Sequence, residues 1–226
     1  MKPNYRARCA RTNKLLAEAY GLPKWPGPQD PLEVLLRTVI TGLSSAAGAE
    51  KALKALLAHY KTAEKAGDSS ADSIAKTLKK GGLAIQKSKQ VAALIKALKK
   101  EHGSASLDFI KTMSVREAMR ALESIDGVGP KVGASVILYS LGREICPVDS
   151  HILRILQRMG IVPNNTAPEA AFELLQPLVP NGMSYPFHVN LIRLGKETCK
   201  AGKPRCTSCP VEKECRFPSK NIPRNR

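Results

Sequence analysis

Aromatic residues are scarce in this 226-residue chain: Phe, Trp and Tyr together make 4 % of it, with a single Trp. A core so short of rings must be built from Leu, Ile, Val and Ala, a mix that favours helices over a sheet sandwich. Alternating apolar and polar stretches long enough for strands are missing, and so is any internal repeat. No run of 18 apolar residues occurs, so no membrane-spanning helix is expected. The basic N-terminus MKPNYRARCARTNK lacks the apolar centre of a secretory signal. Acidic residues are the other shortage: 19 Asp and Glu against 36 Lys and Arg leave a formal net charge of +17. Folding does not require that excess; it is a statement about partners, and nucleic acid is the obvious polyanion. The expected location is intracellular: the cytoplasm, in association with the nucleoid.

Apolar residues still make up 43 % of the chain, enough for the core of one large domain or of two small ones sharing a cleft. The periodicity is helical nearly everywhere. A basic and apolar run over 9–20 stops at Gly21 and Pro23, and the connector LPKWPGPQDP, 22–31, holds four prolines. Asp30 and Pro31 then read as the N-cap and first helical position of PLEVLLRTVI. Further helices are expected at about 48–60, 70–79, 87–101, 114–124, 131–141, 150–159, 167–176 and 183–196, with Gly, Asn, Pro or Ser at most junctions. The expectation is an all-α fold.

Six cysteines in a reducing compartment point to metal binding or buried thiols rather than disulfides. Four of them, Cys199, Cys206, Cys209 and Cys215, fall in the tail CKAGKPRCTSCPVEKEC with gaps of six, two and five residues. That tail is too poor in large apolar residues to fold by itself, and a metal held by four thiolates would supply the missing folding energy. Spacing alone leaves zinc and a [4Fe–4S] cluster equally open. Lys200, Lys203 and Arg205 lie between the first two cysteines, where they read either as phosphate contacts or as a solvated basic loop. Cys9 and Cys146 have no such spacing and read as buried small residues.

The remaining chemistry concentrates in IDGVGPKVGASVILYSLGREICPVDSH, 125–151. A helix, a tight turn carrying Gly127 and Gly129, and a second helix opening at Pro130 make an ordinary helical hairpin or, through the turn amides and the helix N-terminus, an anion site. Lys131 stands in the first turn of that second helix, facing the positive end of the dipole at a cost of about 0.3–1 kcal/mol. It is either a surface lysine that binds phosphate or a nucleophile that forms a Schiff base with an aldehyde-like carbon. Asp149, eighteen residues further on, reads as an N-cap. Capping does not exclude a second role, stabilising a developing positive charge on a sugar or acting as a base.

The hairpin with GVGPK, the VDSH that follows it and the Cys-x6-Cys-x2-Cys-x5-Cys tail, in this order, resemble endonuclease III, a DNA glycosylase and abasic-site lyase of the helix-hairpin-helix superfamily. The resemblance runs from about 30 to 217. It implies a two-lobed fold, a six-helix barrel domain over 32–143 containing the hairpin, and a cluster domain made of 1–31 and 144–226. Double-stranded DNA with damaged bases or abasic sites would cross the cleft, the target nucleotide flipped out. The resemblance makes Lys131 the lyase lysine, Asp149 the catalytic aspartate, and Cys199, Cys206, Cys209 and Cys215 the ligands of a [4Fe–4S] cluster. It also implies a bifunctional enzyme acting on oxidised pyrimidines and abasic sites, working as a monomer with no membrane partner.

Departures bear on substrate choice. The segment TGLSSAAGAEK, 41–51, has no Gln or Asp where relatives carry a gap-filling Gln, leaving Leu43 or Ser44 for that role. A second insertion loop, 82–89, offers Ile85 and Gln86 as wedges. Asp126 places a negative charge beside the expected phosphate site, and His151 reads as a phosphate contact or a packing residue. Two alternatives follow: a related glycosylase with another lesion or mismatch specificity, and a DNA-binding module with little catalysis.

Overall fold

The computed structural model describes residues 4–43 and 46–217. Among them it is all-helical, as expected, with eleven α-helices and no strand: α1 Tyr5–Tyr20, α2 Pro31–Leu43, α3 Ala46–Tyr60, α4 Ala63–Ala66, α5 Ala71–Lys80, α6 Ile85–His102, α7 Val115–Glu123, α8 Pro130–Leu141, α9 Ser150–Met159, α10 Pro168–Leu175 and α11 Ser184–Glu197. No helix of the described residues is long and apolar enough to cross a membrane. The chain divides into two compact units, one of Met1–Pro26 with Arg143–Arg226 and one of Gly27–Gly142.

In the second unit, α8 explains the packing. Gly133, Ala134, Ser135, Val136, Ile137, Leu138 and Ser140 are all buried, so the helix is covered on nearly every side. Its two buried hydroxyls are satisfied one turn back, Ser135 on the Lys131 carbonyl and Ser140 on the Val136 carbonyl. Helices α2 and α7 pack on α8, and α5 packs on α3 and α6. Local chemistry sets the helix starts. Asp30 Oδ1 accepts from the Glu33 amide at 2.8 Å, and Ser114 with Glu117 forms a reciprocal capping box on α7.

The other unit joins both ends of the chain. Helix α11 packs on α9 and α1, and the last turns run back to α1. Arg8, 8 % exposed, donates to the carbonyls of Glu214 and Met159. Arg11 grips the Glu214 carboxylate with two bonds of 2.8 and 3.0 Å. Tyr20 lies under Arg193 at 4.4 Å, and Asn190 donates to the Gly21 carbonyl at 2.9 Å. Cys9 and Cys146 are fully buried, as their isolated spacing suggests, and burial pushes the Cys9 thiol up to about 11.

The closest approach lies where α5 ends on α3. A Cβ added to Gly81 would fall 2.5 Å from Ala52 Cα and 3.0 Å from Ala55 Cβ. Gly81→Ala is therefore expected to destabilise the protein by about 1–3 kcal/mol, read as a lowered denaturant midpoint.

Candidate functional site

The hairpin comes first. Gly127 has φ +81°, which side chains rarely adopt, whereas Gly129 is ordinary extended backbone at φ −87° and ψ 178°. A Cβ at either glycine would meet no protein atom within 4 Å. Gly127 is thus required by the turn, but nothing inside the protein requires glycine at 129. Among the described residues the amides of Gly127, Gly129 and Lys131 carry no hydrogen bond. Gly129 caps α8 without a side-chain acceptor, and the first turn of α8 holds no acid. Three free donors and an uncompensated helix N-terminus therefore sit together. Lys131 is half-buried, and its amine makes no hydrogen bond or ion pair among the described residues. Asp126, the departure noted in the sequence, is exposed beside Gly127.

Asp149 is delivered by a segment that is not helical but is held at each step. Glu144 Oε2 accepts from the Gly182 amide and the Ser184 hydroxyl at 3.2 and 2.9 Å. Gln176 brackets Cys146, accepting from its amide and donating to its carbonyl at 3.0 and 3.1 Å. Buried His188 donates to the Pro147 carbonyl at 3.1 Å. Asp149 then caps α9 with Oδ1, which accepts from the Ile152 amide at 2.8 Å. Oδ2 has no partner among the described residues.

His151, in the first turn of α9, sits against α11. A Cβ on Gly195 would come within 2.7 Å of His151 Cβ, so only glycine permits the contact. Arg154 Nη2 lies 3.1 Å from His151 Nδ1 and also donates to the Gly195 carbonyl. A guanidinium can only donate, so Nδ1 accepts and the ring proton belongs on Nε2.

The four tail cysteines line one cavity. No three His, Cys, Asp or Glu side chains of the described residues converge closely enough to hold a single metal ion. The sulfurs surround a volume rather than a point. They are close enough to sense one another: the Cys209 thiol is pushed up to about 11, by burial first and then by the thiolates of Cys199, Cys215 and Cys206. Arg158, at the end of α9, donates to Cys199 Sγ at 3.3 Å and to the carbonyls of Lys200 and Ala201 at 2.7 and 2.8 Å. Those bonds hold the basic loop by its backbone. Lys200, Lys203 and Arg205 project from it exposed, with no side-chain partner among the described residues.

The insertion candidates separate. Ile85 is 40 % exposed and opens α6 with exposed Gln86 behind it, after Ala84, which offers no side-chain cap. Leu43 ends α2, but its side chain, like the whole of Ser44, lies outside the described residues. Arg154, Arg158 and Gly195 are additions to the residues singled out in the sequence. The two arginines stand four apart on the helix after VDSH, a spacing that puts them on one face, and that signal was available. Nothing in the sequence marks Gly195 as the neighbour of His151.

The fold is that of the helix-hairpin-helix DNA glycosylases. Among solved structures the chain is similar to an endonuclease III in a non-covalent complex with DNA, with a TM-score of 0.75, 20 % identity and coverage of 95 % of this chain and 97 % of that one. It is similar also to a thermostable thymine-DNA glycosylase, with a TM-score of 0.77, 21 % identity and coverage of 96 % and 100 %. In sequence the chain is endonuclease III-like: it is 27 % identical over 188 residues to Endonuclease III of Thermotoga maritima, across 83 % of this chain and 84 % of that protein. No protein-family model matches the sequence.

The Arg11–Glu214 pair holds the turn just before Cys215, and the Arg11 hydrogen bonds keep the Glu214 carboxyl below the usual carboxylate range. A group so depressed stabilises the folded state above its unfolded pKa and loses that contribution as pH falls through the folded value. Glu214→Arg is expected to loosen the tail, read as faster proteolysis after Cys209. The exchange Arg11→Glu with Glu214→Arg is expected to restore protection.

Proposed function

We propose that the chain is a bifunctional DNA glycosylase and abasic-site lyase of base excision repair. It removes oxidised pyrimidines from double-stranded DNA and nicks abasic sites by β-elimination. The observation that carries this reading is Lys131, an unpartnered, half-buried amine in the first turn of α8, directly behind three free backbone amides. A basic protein that leaves donors and a helix N-terminus open in this way is suited to a phosphate group. The open space around Gly129 points the same way: it admits a backbone other than the protein's own.

The residues divide the work. The amides of Gly127, Gly129 and Lys131 take a DNA phosphate and fix the strand. The Lys131 amine, once neutral, attacks C1′ of the sugar and forms a Schiff base; the imine makes the neighbouring proton acidic, and its loss expels the 3′ phosphate. Asp149 is firmly placed by its cap bond, and its Oδ2 is left to stabilise positive charge on the sugar as the damaged base departs. His151 presents an Nε2–H donor, and Lys200, Lys203 and Arg205 add phosphate contacts that carry no sequence information. Ile85 and Gln86, exposed at the start of α6, serve as wedges beside the extruded nucleotide, with Leu43 and Ser44 completing the insertion. The protein acts as a monomer.

Cys199, Cys206, Cys209 and Cys215 hold a [4Fe–4S] cluster in this reading. Zinc would draw four sulfurs to about 2.3 Å from one centre. Four thiols that line one cavity without converging on a single ion position suit a larger group. Bound there, the cluster would cross-link the tail and supply the folding energy that its composition lacks. Purified protein is expected to be brown and to hold four iron and four sulfide per chain.

A second reading, excision of a mismatched thymine, draws support from TGLSSAAGAEK, where the gap-filling Gln is missing, and from the likeness to a thymine-DNA glycosylase. A panel of thymine-glycol, abasic and mismatched duplexes separates the two readings.

Borohydride is expected to trap a covalent adduct between the protein and abasic DNA, and Lys131→Ala to abolish it; an undiminished adduct in that variant would remove Lys131 from its role, and no adduct with the unaltered protein would leave only a DNA-binding module. Asp149→Asn is expected to keep the thermal midpoint, because Asn caps as well as Asp, while base removal falls roughly 10²–10⁴-fold. Gly129→Ala, whose backbone angles suit alanine and whose Cβ meets nothing, is expected to leave stability unchanged and to raise the Kd for abasic duplex.

A further inference from the structure

The thiol cavity shares a wall with a second pocket. That pocket is open, with a volume of about 660 Å³, and Tyr5, Arg154, Gln157, Arg158, Arg216 and Phe217 are among its lining residues. Three of its residues are arginines and none is acidic. Arg158 and Phe217 are the two residues common to both linings. The Arg158 guanidinium stacks 4.5 Å from the centre of the Phe217 ring while its Nη1 and Nη2 hold Cys199 Sγ and the carbonyls of Lys200 and Ala201. Its own carbonyl accepts from the Arg216 amide at 3.2 Å and lies 3.4 Å from Cys215 Sγ. One residue thus touches the first and the last of the four cysteines.

This arrangement has a hazard built into it. A pocket walled by Arg154, Arg158 and Arg216 attracts anions, and small anionic oxidants and chelators would gather one side chain away from the thiols. Arg158 fills the gap: its fork is engaged by two carbonyls and a sulfur, and one face is covered by an aromatic ring. We infer that Arg158 and Phe217 form a partition that positions Cys199 and keeps the contents of the cationic pocket off the metal centre. The inference rests on the four-thiolate cluster proposed above and gives Arg158 and Phe217 a protective, positioning role in it.

The test follows the visible absorbance of the holoprotein after addition of ferricyanide. Ferricyanide accepts one electron from the four-iron centre and becomes ferrocyanide. The oxidised centre sheds one Fe²⁺, leaving a three-iron form, and the released iron is counted with a chromogenic chelator. Phe217→Ala and Phe217→Leu are expected to load iron as the unaltered protein does but to bleach several-fold faster. Added KCl should slow that bleaching by screening the pocket, and Phe217→Tyr should restore slow bleaching. Arg158→Met, which also loses the sulfur contact, should weaken iron retention by roughly 10–100-fold. Anaerobic nicking of abasic DNA by the Phe217 variants should be unchanged. Iron-loaded Phe217→Ala and Phe217→Leu that bleach at the unaltered rate overturn the partition alone. Unaltered protein that carries zinc, or no iron, overturns the cluster and the partition with it.

Discussion

The 2.8 Å hydrogen bond from the Ile152 amide to Asp149 Oδ1 fixes where α9 begins, and much of its unit is referred to that start. Over ten residues the helix rises about 15 Å, carrying Asp149 and His151 at one end, Arg154 in the middle, and Arg158 at the other. Because a helix is stiff over this length, the carboxylate and the cysteine loop are parts of one rigid object. The pinned run from Glu144 to Pro147 aims that object, and Gly195 lets α11 close against it.

The excess of positive charge is used in two ways. Arg8, Arg11, Arg154 and Arg158 spend their donors inside the protein, on carbonyls, on Glu214 and on a sulfur. Arg8, Arg154 and Arg158, buried or half-buried with several bonds each, act as struts, and exposed Arg11 adds its grip on Glu214. Lys131, Lys200, Lys203 and Arg205 have no such bonds among the described residues and stay available to a partner. Three of these four are lysines. Arginine serves inside because its fork satisfies several acceptors at once.

Most helices were legible in the sequence because local chemistry marks their ends. The run expected at 150–159 is α9, and that at 131–141 is α8, which begins one residue earlier at Pro130. Helix α1 begins at Tyr5 rather than 9: its N-cap is Asn4, and its first turn carries polar and basic residues that blur the apolar stripe. Four-residue α4 is shorter than any period could reveal. In the site, the cap role of Asp149, the hairpin turn at Gly127 and the grouping of the four cysteines could be read from spacing. The buried role of Arg8 could not, since its acceptor on Glu214 lies 206 residues away. Nor could the reason for Gly129, because backbone angle, the usual argument for glycine, does not apply there.

A unit assembled from both ends of the chain also dictates a timetable. Helix α1 leaves the ribosome well before the partners of Arg8, since Met159 and Glu214 follow it by 151 and 206 residues. The intervening stretch, Gly27–Gly142, is continuous and can close as soon as it is synthesised. At about 5–20 residues per second, α1 waits roughly ten to forty seconds with Cys9 and Leu16 uncovered. Until then its buried face is a liability to other chains, and the cysteine loop is completed only after the Gly27–Gly142 unit has been able to close.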